Sequence, residues 1–377
     1  MLQSRNQSSH EIFALLSVFE PIIQNLIREV GRKRAACCSL LLTMAAVFLG
    51  GYELEHKHLE CPANWESDYL SEEGCDDTAD KLCLSPSAWT DVLERFKLAW
   101  SFWELSKKDK AREYLVECYM RLLPDPVFHK DCGLVGDYRP ALRLVLDSTW
   151  AMMRVECVVD QHDAVNLNKF VASVQPLSKL DEKQRAAVYA IRGCLAPDQD
   201  RQRWLRKSIK LSPGEGQWGY YLGWMLQEDR HGKKTPSKEE LRLLRNAYKL
   251  RKDPDSILRL ARSLIECGPS RLAEAEALVE EALTLYPDHP RALTNGANLL
   301  ARLRENSPAV LRRMHHLYKR AQTIVGDRAF IHLKLAALCF MSGMKEEGDE
   351  HLNFAFDLNP SVCKIFVENT GMPIRLD

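Results

Sequence analysis

Over most of the chain, apolar residues recur three and four positions apart, interrupted at near-regular intervals by glycine and proline. That spacing predicts amphipathic helices and no strands. The stretch from Ala329 to Pro360 displays the unit. Leu335 and Ala336 fall on a first helix, where a small residue lets a neighbouring helix approach, and Gly343 opens a turn. Gly348, Leu352 and Ala355 continue the inward face of a second helix, which Pro360 ends because proline cannot carry it onward. These offsets are those of a 34-residue helix-turn-helix repeat.

The pattern recurs along the chain. Leu98-Ala99, then Ala111, Leu115 and Cys118 before Pro124, give one pair; Arg139 to Pro176 gives a degenerate one. Leu180 to Pro213 and Trp218 to Pro254 give two more, the latter with Leu222-Gly223 first and Leu243, Ala247 and Leu250 second. Its turn is enlarged from Glu228 to Pro236, and Ser237 with Glu240 reads as a capping box. Ala275, Val279, Ala282 and Pro287 repeat the offsets of Gly348, Leu352, Ala355 and Pro360. A pair from Pro290 to Gly326 lies between these last two. Seven helix pairs predict an all-α tetratricopeptide-repeat superhelical solenoid with a concave face, residues 89–362.

The flanks read differently. Residues 1–57 form an N-terminal helical and apolar extension: an amphipathic run from Ile12 to Val30, the basic Arg32-Lys33-Arg34, then an uncharged apolar run over residues 35–52. That run is read as a core or cap helix, or as an extension outside the folded unit; the alternative is a short signal anchor, giving a membrane-anchored adaptor. Residues 58–88 read as an acidic connector with at most short helices, and 363–377 as a C-terminal tail.

Charge changes the picture only locally. The 52 Lys and Arg balance the 52 Asp and Glu, so there is no global pull toward nucleic acid or anionic membrane. Yet residues 201–252 hold 14 basic and 5 acidic residues. The twelve cysteines are scattered without a CxxC pair and read as reduced thiols of a cytoplasmic protein. No phosphate-cradling glycine loop, HExxH, GxSxG or zinc-spaced Cys/His array occurs, so neither enzyme activity nor a cofactor or metal is expected. His56 with His58, and His315 with His316, do not share a helix face and read as solvent-facing.

In the basic stretch, Arg206, Lys210, Arg242, Arg245 and Lys249 lie on consecutive helices, with Tyr220 among the aromatics between them. Cations interleaved with aromatics suit single-stranded RNA; they equally suit an acidic peptide. The bland reading is a repeat core for the aromatics and a solvated face for the charges. Arg242, Arg245 and Lys249 share one helix side and carry the sharpest expectation.

Several longer stretches stand in a recognisable order: His58 to Trp65, Lys97 to Trp103, Thr149 to Met153, Gly219 to Met225 and Leu243 to Leu250. Together they resemble the interferon-induced proteins with tetratricopeptide repeats, or an invertebrate relative of them, over roughly residues 58–360. The resemblance implies a cytosolic, all-helical, non-enzymatic protein that binds protein partners, or RNA in a basic central tunnel, in innate antiviral defence. Val188 to Gly193 stands where that family has an acidic Glu-Glu-Gly-Trp stretch. The expected function is protein binding in the concave groove, with RNA binding through the basic middle as the alternative.

Overall fold

The computed structural model describes residues 59–370 except 66, 86, 124–132, 156–160, 231–234 and 305–306. Residues 35–52 lie outside them, and no described helix is long and apolar enough to cross a membrane. The described residues form helices and no strand.

The helices are α1 (Pro62–Trp65), α2 (Glu72–Asp80), α3 (Ala88–Glu104), α4 (Lys108–Leu122), α5 (Gly133–Asp137), α6 (Arg139–Val155), α7 (Gln161–Ser173), α8 (Glu182–Leu195) and α9 (Asp198–Leu211). They continue as α10 (Gly216–Asp229), α11 (Lys238–Arg251), α12 (Pro254–Glu266), α13 (Leu272–Leu285), α14 (Pro290–Leu303), α15 (Pro308–Val325), α16 (Ala329–Met341), α17 (Lys345–Leu358) and α18 (Pro360–Thr370). The chain divides into two compact units: residues 1–58 with 151–173, and residues 59–150 with 174–377. In the first, the described part is the end of α6 and α7. The second unit holds the other described helices.

There α8–α9, α10–α11, α12–α13, α14–α15 and α16–α17 are successive antiparallel pairs. The second helix of each packs on the first helix of the next. Local chemistry sets the ends. Ser237, Asp253 and Ser307 accept from the backbone N–H of Glu240, Ser256 and Val310, while Pro254, Pro290 and Pro308 occupy first turns, where no N–H is needed. Gly343 turns the chain at φ 78°, which a residue with a Cβ resists. Gly223 serves a different need: a Cβ there would stand 2.8 Å from Leu244, so the glycine lets α10 and α11 close on each other.

The acidic segment after residue 58 is more ordered than its composition suggests. Ser71 caps α2, Cys75 is buried, and α2 packs on both α3 and α18. Helix α3 turns an aromatic face toward the first helices of the array. Trp89 meets Tyr138 and Trp218 with ring centroids 5.8 and 5.4 Å away, and all three are buried. The described cysteines are free thiols; burial pushes Cys75 up to about 11 and Cys194 up to about 12.

Candidate anion-binding cleft

The first helices carry polar side chains in a repeated register. On α12 these are Asp255, Arg259, Arg262 and Glu266; on α14 they are Arg291, Asn295, Asn298 and Arg302. Steps of four, three and four residues keep each set on one helix face. The two sets stand one repeat apart and interlock. Arg291 donates to Asp255 (2.7 Å) and Arg302 to Glu266 (2.8 Å), each across 36 residues of sequence. From α10, Tyr220 donates to Asp255 (3.1 Å) and Gln227 to Ser263 (2.6 Å).

Beneath this ladder lies a charged network. Arg230, with a side chain only 8% exposed, donates to Glu240 and Glu266, and Ser263 donates to Glu240 (2.6 Å). Glu240 therefore completes only half of the expected capping box. Its backbone N–H goes to Ser237, while its carboxylate serves Arg230 and Ser263, because a buried carboxylate gains more from a guanidinium than from a backbone amide. For Glu266, burial works against the charged form, but hydrogen bonds from Arg230 and Arg302 hold it below the usual carboxylate range.

Above the network opens a cleft of about 270 Å³, lined by α12, α14 and α16. Arg259 donates to Gln227 (2.9 Å) and Glu228 (2.8 Å) and lies over the Trp224 ring. Arg262 reaches Glu228 and Glu266. Lys334 stands over the Phe366 ring, 5.3 Å from its centroid, with no carboxylate partner among the described residues. Burial lowers its pKa, and nearby Lys81 adds to the effect. Since Glu240 answers Arg230, the four cations Arg259, Arg262, Arg302 and Lys334 face two carboxylates, Glu228 and Glu266. Asp255 is already engaged by Arg291 and Tyr220. Among the described residues the cleft thus keeps a surplus of two positive charges beside the amides of Asn295 and Asn298, a setting that attracts an anion.

The residues singled out in the sequence lie elsewhere. Arg206 and Lys210 are on α9, and Arg242, Arg245 and Lys249 on α11, both second helices. Arg206 pairs with Glu239, and Arg245 with Glu274 on α13 (3.2 Å). Lys210, Arg242 and Lys249 are exposed. Of the two acids, Glu274 lies outside the basic stretch and offsets part of its excess, and similar ion pairs link Arg313 and Arg320 on α15 back to Glu280 on α13 and Asp288 just after it. Tyr220 is 3% exposed and reaches the cleft only through its hydroxyl on Asp255, so its ring offers no stacking surface. The cleft cations have their own sequence signal, polar residues recurring at the same register of successive first helices. It is faint because each set holds only two to four residues.

A second cleft of about 170 Å³ lies between α3, α8 and α10, and Glu228 in its lining accepts from Arg259 of the first. Glu94, raised by burial, and Lys97, lowered by burial, both line it. Its signs are mixed.

No family model and no curated protein sequence matches the chain. Among solved structures it is similar to the human IFIT1 dimer with m7Gppp-AAAA, with TM-score 0.55 at 14% identity over 83% of this chain and 73% of that one. It is likewise similar to a monomeric IFIT1 mutant with Gppp-AAAA, with TM-score 0.55 at 14% identity over 83% of this chain and 74% of that one. The chain therefore has an IFIT-like tetratricopeptide-repeat fold.

Proposed function

We propose that this chain is a non-enzymatic binding protein that takes the phosphates of a single-stranded RNA in the cleft formed by α12, α14 and α16. The observation that carries the reading is the surplus of two positive charges there, with Lys334 free of any carboxylate among the described residues. Support comes from IFIT1, a protein of the same fold whose structures hold m7Gppp-AAAA and Gppp-AAAA. By that likeness we also read the chain as a relative of the interferon-induced family, acting in the cytoplasm in innate antiviral defence. An acidic segment of a protein partner is the second reading, because arginines that clasp Glu228 and Glu266 can also clasp a partner's carboxylates.

Fluorescence anisotropy with a capped single-stranded oligonucleotide and with an acidic peptide, each over a salt series, separates the two. RNA should bind, and Lys334→Ala should reduce the slope of log affinity against log salt by about 0.7. The α11 double variant Arg245→Ala/Lys249→Ala should leave it unchanged. RNA binding lost in the double variant but intact in Lys334→Ala moves the site to α11. Peptide binding without RNA binding leaves the protein-partner reading standing.

A further inference from the structure

The last two helix pairs bring together three side chains that no sequence motif connects. His315 comes from α15, Cys339 from α16 and Glu347 from α17. The imidazole nitrogen, the thiol sulfur and a carboxylate oxygen lie within 4.8 Å of one another. The His315 Nε2 is buried and has no hydrogen-bond partner among the described residues, and it stands 3.8 Å from Glu347 Oε1, beyond hydrogen-bond reach. Cys339 is fully buried, whereas Glu347 is open to solvent and leaves a path inward.

We propose that His315, Cys339 and Glu347 form a binding site for a divalent transition metal, zinc by donor chemistry, with water at the fourth position. Imidazole nitrogen, thiolate sulfur and carboxylate oxygen are the donor types zinc takes, and three protein ligands with water fourth is the count of its open tetrahedral sites. The thiolate and the carboxylate together neutralise the dication. Zinc bonds of about 2.0–2.3 Å need donors roughly 3.5 Å apart, so small side-chain rotations close the site. Burial holds the His315 ring below its ordinary range. Burial and Glu347 push the Cys339 thiol up, against the smaller opposing effect of Lys319, so the ion itself must displace the thiol proton as it binds. His351 is not a ligand: its Nδ1 lies 2.9 Å from His332 and its Nε2 3.2 Å from Lys319. The bound ion ties α17 to α15 and α16, and so fastens the last pair to the one before it.

Cobalt(II) titration of the reduced full-length chain, stripped of metal with a chelator, tests the site, because a thiolate bound to cobalt gives a near-ultraviolet charge-transfer band. One equivalent should develop the band, zinc should displace it, and zinc should raise the melting temperature. Cys339→Ser should abolish the band. Cys339 is a core residue, so the decisive variants are His315→Gln and Glu347→Gln, which sit toward the surface and keep all twelve thiols. Loss of the band in both supports the site. No band in the parent chain, or a band of parental intensity in His315→Gln, overturns it.

Discussion

Glu266 holds three guanidinium groups, those of Arg230, Arg262 and Arg302, on a carboxylate that is 9% exposed. Because its folded pKa lies below the unfolded value, its contribution to stability is fully present above the unfolded value of about 4.3 and is lost as pH falls through the folded value. Glu266→Gln should therefore be destabilised at pH 7, and its deficit against the parent chain should shrink in urea titrations run below pH 4. A deficit that is constant with pH would mean the side chain acts by packing alone. Tyr220 offers a complementary test. Tyr220→Phe removes the hydroxyl that donates to buried Asp255 and should cost about 1 kcal/mol of unfolding free energy. RNA affinity should stay as it was, since the ring does not face solvent. The residue type was legible at this position but its orientation was not: a tyrosine between cations suits stacking and core equally until neighbouring helices are placed.

At the scale of elements, the repeat depends on close approach within each pair. Gly223→Ala would place its methyl group 2.8 Å from two carbons of Leu244, itself packed in the core, and should cost about 1–3 kcal/mol by overpacking. Gly214→Ala, with nothing within 4 Å, is the control and should leave the melting temperature within a degree or two. Equal losses in both would show that the loss does not come from the close approach of Gly223 to Leu244. Helix type and pairing were readable because they rest on short-range information, with Ser237, Asp253, Pro254 and Pro290 all local stop and start signals. The order of the segment after residue 58 was not. Its charges gave no periodic signal, and α2 packs on a helix distant in sequence, α18, as well as on α3.

Within the larger unit, a second contact distant in sequence joins α2 to α16. The backbone N–H of Phe330, at the start of α16, donates to Asp80 at the end of α2, across 250 residues of sequence. Asp80→Ala removes this helix-start acceptor and should cost about 1 kcal/mol. Amide exchange should quicken in the first turn of α16 while α10 and α11 keep their protection. Uniform loss of protection would show that the larger unit unfolds as one body and that the contact has no local role.

The sequence alone determined helix type, helix ends and the order of the pairs, since these follow from residue spacing within about thirty positions and from capping and proline chemistry. It also showed that the middle of the chain is rich in cations. Which cations remain available was decided only by tertiary structure. Arg206 and Arg245 meet acids from the next helix pair, whereas Arg259, Arg262, Arg302 and Lys334 outnumber theirs. The same holds for His315, whose sequence neighbour His316 says nothing of Cys339 or Glu347. The physical reason is that charge matching and ligand geometry act across a few ångströms of space, and stacking repeats sets those distances between residues that local spacing does not relate.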